Sequence, residues 1–323
     1  MNQQNMGESM HGTFRLRRSV LTVPANKDKM VAKALQRGAD QVMLDLEDSV
    51  PPGEKKGARE IAARSFPELA WGSVTRCLRI NGMDTPFAYR DLVDVVERAG
   101  EHIDTVVVPK ACSGAQIEAV AMLLDQIEAN TGQAGGIGLE AIVEDAQGML
   151  RVEEIAMASS RLEALVFGVA DYGASLRMPS RGASGHGEED PDYPGHKWHY
   201  PLSRLLMAAR AAGLQAIDAP YGDYGDPEGL ERSCRMSAAL GYDGKWAVHP
   251  DQIETVNRVF TPDESDYERC RRILEAFEHA RTRGEGVISL DGEMVDAASI
   301  RVAREVCAKW ERIREKQRPD PGT

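Results

Sequence analysis

From residue 19 to 250, short β-rich runs alternate with amphipathic stretches. The runs are SVLTVPA (19–25), QVMLDLED (41–48), TRCLRIN (75–81), TVVVPK (105–110), IGLEAIVED (137–145), ALVFGVADY (164–172), QAIDAPYGD (215–223) and GKWAVHP (244–250). Between them, apolar residues recur at helical spacing over 27–38, 53–65, 86–98, 114–128, 147–158, 202–212, 227–240 and 251–259. Strand–helix alternation of this kind predicts parallel strands joined by right-handed crossovers. Eight such units predict an α/β fold closed into a (β/α)8 barrel of the TIM type. An open doubly wound sheet is the competing arrangement. VPANKDK follows the first run, where a nucleotide fold would carry Gly-x-Gly-x-x-Gly, and this weighs against the open sheet.

Two segments break the rhythm. Residues 176–200, LRMPSRGASGHGEEDPDYPGHKWHY, form an insert rich in Gly, Pro, His and acids after the sixth strand, read as a lid or a disordered loop. After Pro262 a charged helix (263–283) leads to GEGVISLDGEMVDA, where Asp291-Gly292 between apolar runs predicts a hairpin. A last helix presents Ile300, Ala303, Val306, Cys307, Trp310 and Ile313 on one face. The expected organisation is a catalytic barrel over 13–260 and a small C-terminal unit over 263–315 that docks on the barrel or on another subunit. The ends, 1–12 and 316–323, read as disordered.

Composition narrows the function classes. With 39 Lys+Arg against 51 Asp+Glu, the 323-residue chain carries a formal charge of −12. That charge argues against sequence-independent nucleic-acid binding. No apolar run approaches the roughly 18 residues of a membrane span. The first residues, MNQQNMGESMHG, lack the basic start and apolar stretch of a signal peptide. Five cysteines (77, 112, 234, 270, 307), odd in number and without a C-x-x-C pair, fit reduced thiols. A cytoplasmic enzyme is the expectation.

In such a barrel the reactive groups lie at the C-terminal ends of the strands. The residues there are Asp45, Glu47, Asp48, Arg79, Asn81, Lys110, Glu144, Asp145, Asp171, Asp218, Asp223 and His249. The set is acidic, and carboxylates converging in a dry cleft repel one another unless a cation joins them. Oxygen donors favour Mg²⁺ or Mn²⁺, and Glu144 with Asp171, on adjacent strands, would supply a ligand pair. Each residue also has a plainer reading. Strand-end acids cap helices, Asp45 or Glu47 would face inward and pair with Arg79, and Lys110 would be the structural partner of a carboxylate. His249-Pro250 reads as a packed turn, while His186, His196 and His199 resemble a metal cluster by composition only.

QVMLDLEDSVPPGEKKGAR, LRINGMDTPFAYRDLVDVVE, TVVVPK, EAIVEDAQGMLRVEEIA, VFGVADY, GKWAVHPDQI and VDAASI stand in collinear order from about residue 15 to 312. Together they resemble the malyl-CoA lyase group of the citrate lyase β-subunit-like, HpcH/HpaI aldolase-type enzymes. The resemblance implies a Mg²⁺-dependent, carbon–carbon-cleaving barrel enzyme acting on 3-hydroxyacyl-CoA thioesters. Members split L-malyl-CoA or β-methylmalyl-CoA to acetyl-CoA or propionyl-CoA plus glyoxylate. Relatives split citramalyl-CoA to acetyl-CoA and pyruvate. Carried over by motif, Glu144 and Asp171 are the metal ligands, Arg79 acts at the substrate's reacting end, and Asp296 of VDAASI is the acid–base residue. CoA and substrate contacts map onto Thr22, Lys27 and Lys33, onto Ala170, and onto Val248 and His249. The resemblance also implies a homo-oligomer, trimer or hexamer, in which the C-terminal unit completes a neighbour's site. The chain departs from the pattern at Thr22, Ala25 and Lys27 and in its shorter insert, all near the CoA and acyl pockets. Two other readings stand beside the lyase: a metal-dependent aldolase that needs no CoA, and a carrier-dependent subunit of a citrate lyase complex.

Overall fold

The computed structural model describes residues 15–133, 136–179, 195–282, 288–290 and 293–317. The chain divides into two compact units, Met1–Asn257 and Arg258–Thr323.

In the first unit eight parallel strands close into a barrel in sequence order: β1 (Ser19–Pro24), β2 (Gln41–Asp45), β3 (Thr75–Arg79), β4 (Thr105–Val108), β5 (Gly138–Val143), β6 (Leu162–Phe167), β7 (Gln215–Asp218) and β8 (Gly244–Ala247). Closure comes from β1 pairing with both β2 and β8. The barrel, rather than the open sheet, is the fold.

Alternate residues point inward, and Val20, Met43, Cys77, Val107, Ile142, Val166, Ile217 and Trp246 form one buried cluster inside the wall. Two residues earlier along their strands, Gln41 and Glu140 face the same interior. There Gln41 and the buried Arg17 both donate to Glu140 (3.0 and 3.1 Å), closing the N-terminal end with a charged plug. Two residues later, the same parity aims Thr22, Asp45, Arg79 and Glu144 at the opposite mouth.

The strands end sooner than the hydrophobic runs suggest. ALVFGVADY is not one strand to residue 172, because Gly168 breaks it and α7 (Val169–Ser175) begins. Ala170 and Asp171 therefore sit on the first turn of a helix and not on a strand end. The helix expected over 147–158 is two short ones, α5 (Ala146–Leu150) and α6 (Val152–Ala156), interrupted at Arg151. The first helix, α1 (Asp28–Ala34), is shorter than the expected 27–38. Of the insert, residues 180–194, including His186, lie outside the described residues. Its end is packed rather than lid-like: Trp198 is buried edge-on against Phe167 and Tyr172, and His199 begins α8 (His199–Ala211). Helices α2 (Lys55–Glu68), α3 (Ala88–Ala99), α4 (Gly114–Thr131), α9 (Pro227–Leu240) and α10 (Ile253–Val259) complete the outer layer.

In the second unit α11 (Glu264–Thr282) and α12 (Ala297–Gln317) pack around Ile273, Val295, Ile300 and Ala303. Between them β9 (Ile288–Leu290) and β10 (Glu293–Val295) form an antiparallel hairpin, whose Asp291-Gly292 turn lies outside the described residues. Among the described residues no helix is long and apolar enough to cross a membrane.

Candidate active site

The barrel mouth holds a cavity of about 440 Å³, lined by residues from seven of the eight strand–loop junctions that include Thr22, Asp45, Arg79, Glu144, Asp171 and Trp246. Arg79 ends β3 and is buried. Its Nε and Nη2 donate to the two oxygens of Asp45 at 2.6 and 2.7 Å, and Nη1 lies 2.9 Å from Glu47. The guanidinium also lies 5.2 Å from the centre of the Trp246 ring, whose indole N–H donates to Thr22 Oγ1. Burial pushes the Asp45 carboxyl upward, but the Arg79 charge and the Arg79 and Ser49 hydrogen bonds overcome it and hold the group below its ordinary range.

The loop carrying Glu47 is held from beneath. Lys55 Nζ donates to the carbonyls of Leu46 and Glu47 at 2.7 and 2.6 Å, and Asn81 donates to the Leu46 carbonyl at 3.0 Å. Glu47 is buried between two cations, Arg79 and Lys110, the latter at 2.8 Å. Both Asp45 and Glu47 thus pair with Arg79, and Lys110 is a carboxylate's partner.

Glu144 follows β5 and is buried, with Oε1 accepting the Lys110 backbone N–H at 2.7 Å. Its Oε2 lies over Gly168, where an added Cβ would stand 2.6 Å from that oxygen and 2.4 Å from Glu144 Cβ. Only glycine leaves that space. Burial first, then the negative charges of Glu47 and Asp171, push the Glu144 carboxyl up to about 8. Such crowding of charge, with oxygen donors only, is what a hard divalent cation relieves. Among the described residues no three His, Cys, Asp or Glu side chains gather as a metal cluster. Two carboxylates, with substrate and water as the remaining ligands, match the usual demand of Mg²⁺.

The remaining candidates separate. Thr22, Ala170 and Val248 line the cavity, Ala170 and Val248 being exposed there. Lys27 and Lys33 are exposed on and before α1 and are not among the lining residues. His249 stacks on Tyr224 at 4.9 Å and its Nδ1 caps the turn that follows by accepting the Asp251 N–H. Asp145 caps α5 through the Gly148 N–H, Asp223 accepts the Gly225 N–H within its own loop, and Asp218 is buried against Lys245 on the outer face of the wall. Asp296, in the second unit, is exposed and accepts the N–H groups of Ala298 and Ser299, both at 2.9 Å, as the cap of α12. Trp246, Lys55 and Gly168 were not singled out from sequence. Trp246 was legible by its parity with Val248, whereas nothing local marks Lys55.

Comparison with known proteins supplies the family. The family model described as HpcH/HpaI aldolase/citrate lyase matches residues 18–250. The chain is 41% identical over 296 residues to an L-malyl-CoA/beta-methylmalyl-CoA lyase of Cereibacter sphaeroides, covering 90% of this chain and 92% of that protein. It is 36% identical over 296 residues to a (3S)-malyl-CoA thioesterase of the same species, covering 92% and 95%. Among solved structures, Mycobacterium tuberculosis CitE in complex with magnesium, acetoacetate and coenzyme A superposes with a TM-score of 0.69 at 30% identity, covering 91% of this chain and 97% of that one. A match across the whole barrel, joined to near full-length identity of this size, makes the chain a member of the HpcH/HpaI aldolase/citrate lyase family.

Proposed function

We propose that the protein is a Mg²⁺-dependent carbon–carbon lyase that reversibly cleaves L-malyl-CoA or β-methylmalyl-CoA to acetyl-CoA or propionyl-CoA and glyoxylate. The observation that carries this reading is the pairing, in one cavity, of a crowded carboxylate site at Glu144 and Asp171 with the buried, fully oriented Arg79. The 41% identity to an L-malyl-CoA/beta-methylmalyl-CoA lyase supports the choice of thioester.

In this reading Glu144 and Asp171 hold Mg²⁺, which when bound acts as a Lewis acid toward the ketoacid oxygens. Arg79 has five N–H donors, of which Asp45 takes two, while Glu47 lies 2.9 Å from Nη1 as an ion pair. Arg79 lines the cavity, and in this reading its remaining N–H groups stabilise negative charge on the thioester oxygen. Because Asp45, Glu47 and Trp246 already hold the guanidinium, no reorganisation is needed as that charge develops. In cleavage the hydroxyl proton passes to Asp296, contributed by the C-terminal unit of another subunit in a homo-oligomer. The hydroxyl oxygen becomes the aldehyde carbonyl of glyoxylate. The electron pair of the broken C–C bond goes to the thioester as an enolate, which takes the proton back from Asp296 to give acetyl-CoA. In condensation Asp296 takes the α-proton instead. Lys27 and Lys33 supply the cations that an acidic protein needs near the CoA phosphates, with Thr22, Ala170, Val248 and His249 around the remainder of the thioester.

The test is a panel of malyl-, β-methylmalyl- and citramalyl-CoA incubated with Mg²⁺, with identification of the ketoacid released. Glyoxylate from the first two supports the reading, and pyruvate from the third selects citramalyl-CoA lyase activity. Free malate and CoA without any ketoacid indicate thioester hydrolysis, the reading favoured by the 36% identity to a malyl-CoA thioesterase.

A further inference from the structure

Lys110 has an unusual backbone. Its φ is +50°, in the left-handed region that non-glycine residues seldom enter, and Arg177 is the other described non-glycine residue with positive φ. A conformation that costs free energy persists only where its surroundings hold it. Here the surroundings include the loop after β4, between the ends of β3 and β5.

The twist has two consequences. It turns the Lys110 N–H toward β5, where it donates to Glu144 Oε1 at 2.7 Å. It also sends the side chain the other way, across the end of β3, to Glu47 after β2, with Nζ 2.8 Å from Glu47 Oε1 and 3.4 Å from Asp48. Glu47 in turn lies 2.9 Å from Arg79 Nη1. One residue therefore touches both chemically distinct parts of the cavity: the carboxylate from the backbone and the arginine through a bridging acid. An extended backbone at this position would release the first contact, and loss of the ammonium would release the second. Glu47, buried and left with Arg79 alone, would then draw Nη1 more strongly and shift the fork away from the reacting oxygen.

We infer that Lys110 is a positioning residue for the proposed reaction, orienting Glu144 through its amide and Arg79 through Glu47. The inference rests on the proposed lyase reading, and two variants test it separately from that reading. Lys110→Asn removes the ammonium but keeps a residue type that tolerates the left-handed region. Lys110→Val removes the ammonium and, being β-branched, also resists that region. The measurements are the Mg²⁺ dissociation constant of the free enzyme by calorimetry, kcat and KM for malyl-CoA, and the melting temperature.

Lys110→Asn is expected to bind Mg²⁺ as the unaltered enzyme does, with KM little changed and kcat reduced by roughly 10–100-fold, the usual cost of removing a residue that orients a ligand. Lys110→Val is expected to show the same fall in kcat and, in addition, Mg²⁺ binding weaker by roughly 10–100-fold. A merely structural lysine would lower the melting temperature without separating kcat from KM or one variant's metal affinity from the other's. Unaltered kcat in folded Lys110→Asn overturns the side-chain role, and unaltered Mg²⁺ affinity in folded Lys110→Val overturns the backbone role. An unaltered enzyme that binds Mg²⁺ but cleaves no thioester overturns the lyase reading instead, and the metal comparison still decides the amide's role.

Discussion

Arg79 and Asp45 meet as a two-pronged pair, Nε and Nη2 of one at 2.6 and 2.7 Å from the two oxygens of the other, both buried at the mouth of the barrel. A pair of this geometry fixes the plane of the guanidinium as well as its position. The guanidinium carbon also lies 5.2 Å from the centre of the Trp246 ring, a third contact on the same group.

Arg79→Lys keeps the charge and loses the fork. An ammonium cannot satisfy both Asp45 oxygens and Glu47 while also reaching a substrate oxygen. The expected outcome is a large fall in kcat/KM together with a lower melting temperature. A loss of about twofold or less in kcat/KM would assign Arg79 a purely structural role.

The same pair predicts the acid limb of stability. The folded Asp45 carboxyl is held below its ordinary value, so the pairing stabilises fully above the unfolded carboxylate range and is lost as pH falls through the depressed folded value. Melting temperature should therefore decline on acidification below about pH 4. Asp45→Asn should flatten that decline and cost roughly 3–5 kcal/mol near neutrality, since it leaves the buried Arg79 without its main counter-charge. Urea titrations at a series of pH values measure both.

Chelation tests the carboxylate pair. Lysis is expected to stop in EDTA and to return with Mg²⁺, and Lys110, whose amide meets Glu144, is committed to Glu47 and Asp48 rather than free to form an imine. Full activity after exhaustive chelation, or a substrate imine trapped by borohydride, would remove the metal from the mechanism.

Gly168→Ala addresses the same site by sterics. The new methyl would need the space that Glu144 Cβ and Oε2 hold, at 2.4 and 2.6 Å. Displacement of Glu144 should weaken Mg²⁺ binding by roughly 10–100-fold while the strand and helix on either side keep their structure. Calorimetry with circular dichroism distinguishes this from unfolding.

Asp296→Asn separates capping from catalysis. Asparagine still accepts the Ala298 and Ser299 N–H groups but does not take a proton. Folding and CoA binding should survive, with cleavage reduced by orders of magnitude. Mixed oligomers reassembled from Asp296→Asn and Glu144→Gln chains should regain partial activity. No recovery in demonstrably mixed oligomers would assign Asp296 to its own chain's site, and unaltered rates for Asp296→Asn would remove it from catalysis.

Much of the barrel was legible because its cause is local. Strand and helix differ in the period of their apolar residues, and eight alternations have few ways to close. Strand ends were less legible, since apolar residues continue past the last ladder bond: GVADY reads as strand until the freedom at Gly168 and the first turn of α7 are seen together. The resemblance in motif order put forward Arg79, Glu144 and Asp171 as site residues, but local spacing did not separate the two acids among them from Asp145 and Asp218, which carry the same charge at similar places.

What the amino-acid sequence determined by itself was the fold class and the carboxylate-rich character of the strand ends. Only the tertiary structure decided which carboxylates share the cavity. Asp218 turns outward to a buried Lys245, whereas Glu144 turns inward over Gly168, and the difference is the parity of each residue about a closed wall. Closure also decided the partners of Arg79 and the reach of Lys110 from β4 to the loop after β2, contacts between residues 34 and 63 positions apart or nearly so in sequence. Electrostatic pairing acts over a few ångströms in space and is indifferent to distance along the chain, so it is set only when the barrel has brought those ångströms about.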